Sequence, residues 1–126
     1  MMERPRDTRY TRYTRQERLA EVGASGQARI AAARVASRAG GLAGEVEALY
    51  LAGAGVGTLV VDDAATAAAA KALAPDVCVH VAREPREDGG DAALDRAIAG
   101  LAPGAREVGE GAWRALVALR AALEAA

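Results

Sequence analysis

The chain has no Phe, one Trp and three Tyr, so aromatic side chains make up 3% of its 126 residues although 52% are hydrophobic. Much of that apolar fraction is alanine, which removes little area from water. At ~25 cal/mol per Å² such a core stabilises weakly. The expectation is one domain of marginal stability, or one supported by a partner subunit. Cys78 stands alone, which excludes an intrachain disulfide framework and suits a reducing compartment. No segment is long and apolar enough to span a bilayer. The basic N-terminus lacks the apolar run of a secretory signal. A cytoplasmic protein without a membrane partner is expected. Nor is there an excess of one charge: 16 Lys and Arg stand against 17 Asp and Glu, a net charge of −1. No overall field favours nucleic acid.

What charge there is lies unevenly. Arg4, Arg6, Arg9, Arg12, Arg15 and Arg18 crowd the first segment, where Thr-Arg-Tyr occurs twice in succession at 8–10 and 11–13. Residues 1–12 read as a flexible basic arm, either solvated or docked on a neighbour, and residues 13–126 as one domain.

Within that domain, helix and strand signals alternate. A short helix is expected over 14–22 and another over 27–34, both from good helix formers. Val46, Leu49 and Tyr50 fall at i, i+3 and i+4, predicting a helix over about 44–53. Thr58-Leu59-Val60-Val61 has the continuous apolar character of a buried parallel strand. Residues 64–74 are almost pure Ala, a helix by propensity, and Val77, Val79 and Val81 alternate with Cys78 and His80 as a further strand. Residues 83–91 read as an exposed loop. Leu94, Ile98 and Leu101 mark a helix that Pro103-Gly104 stops. Ala112, Leu116, Leu119 and Leu123 give the last helix its seam, with Trp113 and Val117 beside it. This order implies an α/β fold: a small Rossmann-like parallel sheet of about three strands flanked by helices, with an N-terminal arm. The first strand has two readings. Val35-Ala36-Ser37-Arg38 supplies it if the preceding helix ends in time. Otherwise that helix runs to Arg38 and Gly40-Gly41 turns a helical hairpin.

Tyr13-Thr14-Arg15-Gln16, Glu21-Val22-Gly23, Gly26-Gln27, Gly40-Gly41-Leu42, Leu49-Tyr50-Leu51-Ala52 and Gly55-Val56-Gly57-Thr58-Leu59 come in a telling order. Over residues 9–63 the chain resembles the ThiF/MoeB/HesA superfamily, the adenylating enzymes that activate ubiquitin-like sulfur carriers. The resemblance sets the phosphate loop G-x-G-x-x-G against Ala39, Gly41 and Gly44. In such a loop the first glycine makes a tight turn, the second lets backbone approach phosphate, and the third lets helix pack on strand. Ala39 replaces the first, where its Cβ would crowd the turn. Glu45, in the first turn of the helix, would repel a phosphate there. Asp62 ends the second strand 18 residues after Gly44, where an acid about 20 residues beyond the loop binds ribose hydroxyls. The other reading is an exposed strand-end Asp62, with Asp62-Asp63 simply starting the next helix. The resemblance assigns Gly41 and Gly44 to the phosphates, Asp62 to the ribose, and Arg15 to a partner's nucleotide across a dimer. It implies ATP with Mg as cofactor. It also implies a homodimer, a complex with a complete homologue, or a ubiquitin-like sulfur carrier as partner.

The family's later parts are missing. No Asn-Leu-x-Arg-Gln segment follows Asp62, no Arg occurs before Arg83, Lys71 lies too near Pro75 to match the family's lysine, and one cysteine leaves no paired zinc site. Adenylation must neutralise a triphosphate and hold magnesium, so the expected chain is a degenerate relative without recognisable catalytic residues. Whether it is an enzyme stays open. The alternatives are a small active adenylyltransferase with relocated groups, or a structural interaction module with no nucleotide site. Cys78 and His80 share a strand face but lack further ligands, so no metal is assigned to them.

Overall fold

The computed structural model describes residues 23–37, 39–83 and 92–125. The expected arm at 1–12, the expected helix at 14–22 and most of the expected loop at 83–91 lie outside them. The order is α1 (Gly23–Ala32), β1 (Arg34–Ala36), α2 (Gly41–Ala54), β2 (Thr58–Val61), α3 (Ala64–Leu73), β3 (Cys78–Val81), α4 (Ala92–Ile98) and α5 (Pro103–Glu124). The three strands form one parallel sheet in the order β1-β2-β3, so the fold is α/β and Rossmann-like, with helices flanking the sheet. Among the described residues no helix is long and apolar enough to cross a membrane.

Local chemistry explains where each element stops. The helix before β1 ends at Ala32 and the strand occupies Arg34–Ala36, which removes the helical-hairpin alternative. The strand is one residue earlier than its apolar pattern suggests, because Ser37 has another role described below. At its C-terminus α2 closes on Gly55, at φ +93°, whose N–H donates to Leu51 O and Ala52 O. The buried Gln27 side chain donates to Ala54 O at 3.0 Å and ties α1 to the same helix end. Asp63 caps α3: Thr66 N–H donates to its Oδ1 at 2.7 Å and the Thr66 hydroxyl to its Oδ2 at 3.0 Å. Pro103 does not merely follow α4, which already ends at Ile98. It opens α5 from the first turn, where its missing N–H costs nothing.

The chain enters β1, β2 and β3 in one direction across the sheet, and right-handed crossovers place α2 and α3 on the same face. Val35, Leu59, Val61 and Val79 turn toward these helices and meet Ile30, Leu51 and Val56. Helix α5 packs along α2 and also touches α1 and α4. Arg29 reaches from α1 to Leu123 O at the end of α5, at 2.7 Å.

Two apolar faces differ from their periodicity. Helix α2 buries Ala43, Gly44, Glu47, Ala48, Leu51 and Ala52, whereas Tyr50 is 57% exposed. In α5 the deepest residues are Gly111 and Ala115; Leu119 and Leu123 of the expected seam do pack against the core, but Leu116 and Val117 are 49% and 50% exposed. The cause is the α2–α5 crossing. A Cβ on Gly111 would meet Ala43 O, with Val46 Cβ at 2.8 Å and Glu47 N at 3.0 Å. Backbone approaches backbone there, so small residues occupy the contact and large ones are turned to its sides.

Gly111→Ala is expected to destabilise the fold by ~1–3 kcal/mol in urea unfolding, the usual cost of overpacking. Gly104→Ala, in the same helix with open space around its Cβ, should be neutral or slightly stabilising. Asp63 gives a pH signature. The Thr66 backbone N–H, then the Thr66 hydroxyl, hold its carboxyl below the ordinary 3.8. Its contribution is therefore complete above that pH and is lost as pH falls through the lower folded value. Asp63→Ala should lower the melting temperature by a few degrees at neutral pH, with the deficit against the parent closing in acid below about pH 4.

Candidate functional site

The loop between β1 and α2 is built by short polar contacts and missing side chains. Gly40 is the N-cap of α2, in extended backbone and with no side chain to cap the helix. Gly41 follows at φ +59°, and the space its Cβ would fill is open. Only glycine adopts that left-handed conformation without a penalty. A Cβ on Gly44 would strike the carbonyl of Ala39, with Ala39 C at 3.0 Å. The Ser37 hydroxyl donates to Gly44 O at 3.1 Å, and the Gly44 N–H donates to Gly40 O at 3.2 Å. Ser37 thus ties the strand end to the helix, and that is why β1 stops before it. Arg38 lies outside the described residues.

Two expectations are corrected here. Ala39 does not obstruct the turn: no described residue other than glycine has positive φ, and Ala39 sits buried under the loop. Glu45 is not in the first turn. Helix α2 starts at Gly41, so Glu45 falls one turn further on, with its side chain exposed. Gly44 also packs differently from the expected role, closing the helix against its own loop rather than against the strand.

The parallel register brings Asp62 to this loop. Ala36 is level with Val60, and Ser37 N–H donates to Val60 O at 2.8 Å. Two residues further, the end of β2 carries half-buried Asp62 beside the start of the loop. Asp63, not Asp62, is the helix cap. The helix-start reading therefore belongs to Asp63, and Asp62 is the strand-end acid. Gly41, Gly44 and Asp62 thus lie at the C-terminal ends of neighbouring strands, where ligands bind in open α/β sheets. Arg15 lies outside the described residues.

A cleft lies elsewhere. It occupies about 610 Å³ and runs between β1, from Ala33 to Ala36, and the helix α5, from Trp113 to Ala125. Glu47 of α2 and Leu94 of α4 complete its wall. Neither Gly41, Gly44 nor Asp62 lines it. Glu47 is 2% exposed, a carboxylate carried into the interior by the α2–α5 contact. The sequence signal for it was present but faint: Glu47 lies one turn from Gly44 and Leu51 on the small-residue face of α2. Arg114, also in the wall, is met by Glu110 at 3.1 Å. On the far strand Cys78 Sγ lies 3.4 Å from His80 Nε2, both exposed. Among the described residues no three His, Cys, Asp or Glu side chains gather as a metal set.

The loop geometry makes a ranking of variants. Gly41→Ala should cost ~1–2 kcal/mol from left-handed strain, and Gly41→Asn less, because Asn tolerates that region better. Gly44→Ala should cost at least as much and open the loop, read as faster amide exchange over Gly40–Ala43.

Compared with known proteins, the chain matches no protein-family model and no curated protein.

Proposed function

We propose that this protein is a degenerate relative of the ThiF/MoeB/HesA adenylyltransferases that retains adenine-nucleotide binding without turnover. The observation that carries this reading is the loop from Ser37 to Gly44. It joins a parallel strand to a helix whose N-terminus has no side-chain cap. It turns on a left-handed Gly41, and it sets strand-end Asp62 beside its opening. The first-turn N–H groups and helix dipole suit phosphate, and Asp62 suits ribose hydroxyls. The chemical argument against turnover is the stretch after Asp62. Asp63 caps a helix of Ala, Thr and Lys71, which offers no Arg or acid for triphosphate and magnesium. The residues toward Mg-ATP are then Gly41, Gly44 and Asp62, with Arg15 acting on a partner's nucleotide in a homodimer or a complex with a complete homologue. A ubiquitin-like carrier remains the partner this reading implies. The lone thiol Cys78 suits a cytoplasmic setting.

A second reading, an interaction module, is favoured by the cleft beside β1, which the nucleotide residues do not line.

Calorimetric titration of the full chain with Mg-ATP, alone and with a Gly-Gly-tailed carrier, decides. Saturable binding weakened at least about tenfold by Asp62→Ala is expected, in line with loss of a charge-assisted bond. Absence of saturation at millimolar Mg-ATP would overturn the nucleotide reading. ATP–pyrophosphate exchange would replace the binding-only form with an active enzyme.

A further inference from the structure

Strand β3 ends the sheet on the side away from β1, and among the described residues no further strand pairs with it. Its backbone groups are divided between two sides. Cys78 N–H donates to Gly57 O and Ala82 N–H donates to Val61 O, both across the ladder to β2. Alternation then turns the N–H and C=O of Val79 and Val81 outward. Proteins commonly defend such an edge with Lys, Pro or a bulge. Residues 78–81 are Cys-Val-His-Val, and their register to β2 runs unbroken. Val81 is 53% exposed. The edge therefore carries none of those defences.

The side chains of β3 are divided as well. Val79 packs against the core. Cys78 and His80 share the opposite face and are exposed. Cys78 Sγ lies 3.4 Å from His80 Nε2. A tetrahedral zinc with Zn–S of ~2.3 Å and Zn–N of ~2.0–2.1 Å holds those two atoms about 3.6 Å apart. The pair is thus spaced as neighbouring ligands of one ion. Thiolate with imidazole suits Zn²⁺, whereas Mg²⁺ and Ca²⁺ prefer oxygen. Two ligands leave the site half built, since among the described residues no third His, Cys, Asp or Glu joins them.

The symmetry of an antiparallel pair supplies the rest. Two copies of β3 related by a two-fold axis normal to the sheet present the same face. With Val79 opposite its counterpart, the two Val79 residues exchange N–H···O=C bonds through the groups already turned outward. In that register Cys78 of each copy stands opposite His80 of the other. Such a pair has no backbone bonds of its own, and its Cα atoms come to ~4.5 Å, the closest approach in an antiparallel ladder. Both pairs lie on one face, either side of Val79. The next register along sets His80 opposite itself and Cys78 opposite Ala82, which scatters the thiols. One register alone gathers two Cys and two His.

We infer that Cys78 and His80 are half of a zinc site completed by the same two residues of a second copy, across a two-fold ladder of β3 on β3. Each thiol releases its proton to solvent on ligation. The ion holds a strand pair that four residues would hold only weakly, and it fixes the register. The site shares no residue with the glycine-rich loop, so it stands or falls separately from nucleotide binding.

The full-length protein, stripped of metal and kept reduced, would be titrated with Zn²⁺ and followed by sedimentation. The expected result is conversion of monomer to dimer, complete at one zinc per two chains and reversed by a chelator. Co²⁺ in place of zinc should give the absorption of a tetrahedral thiolate complex. Cys78→Ser and His80→Gln, both at exposed positions, should each weaken zinc binding at least about tenfold and abolish the dimer, with the metal-free melting temperature unchanged. Val81→Pro removes only an outward N–H, which an edge strand tolerates, and should weaken the zinc-dependent dimer. A chain that stays monomeric with zinc, that binds one zinc per chain, or that dimerises equally after Cys78→Ser would overturn the inference.

Discussion

The backbone contact between α2 and α5 at Gly111 is the constraint on which the rest of the molecule depends. A chain this poor in large side chains cannot fill wide gaps between layers, so it closes them. Gly111 lets α5 approach the Ala43–Glu47 segment of α2 until no Cβ fits between them. That approach holds α5 tightly against α2 and carries Glu47 into the interior, where it is buried. It also turns Leu116 and Val117 outward. The alanine-rich composition is therefore not merely a weak core. Dispersion contacts between close backbones and small side chains stand in for part of the area that aromatic residues would bury.

The same contact explains which features the sequence could disclose. Strands β2 and β3 were legible because a β-branched run and an alternating run carry their own period. The N-cap of α3 was half legible: Asp62-Asp63 announced a strand end and a helix start, and only the Thr66 bonds assigned the second role to Asp63. Strand β1 was displaced because Ser37 reads equally as strand or as loop, and its hydroxyl bond to Gly44 settles the matter in space rather than in sequence. The buried face of α2 was not legible from hydrophobicity. Val46, Leu49 and Tyr50 look like a core stripe, yet the helix is covered by the sheet, by α3 and by α5. The neighbour that comes closest selects glycine and alanine. Periodicity weighs large apolar residues and is blind to a contact chosen for smallness.

The candidate site divides along the same line. Gly41, Gly44 and Asp62 could be picked out because a glycine-rich turn between strand and helix is a local device, written in consecutive residues, and a strand-end acid follows from the strand pattern. The structure adds what spacing omits, the left-handed Gly41 and the Gly44–Ala39 approach. The cleft beside β1 was not legible at all. Its walls come from residues 33–36, 47, 94 and the last helix, and no motif joins segments so far apart.

The glycine-rich loop and the cleft both border one three-residue strand. In a doubly wound sheet the first strand is central, flanked on each side, and the loop after it opens at the point where strand order reverses. Here, among the described residues, β1 lies at the edge of the sheet and leads into the glycine-rich loop. A short edge strand holds its register weakly, and this one carries Gly40, Gly41 and Gly44 at its end. What fixes its outer side also stiffens the backbone that leads into the loop, because Ser37 joins the two: its N–H donates to Val60 O and its hydroxyl to Gly44 O. The glycines leave the loop free to turn, and the bonds on either side of it set where that turn can point.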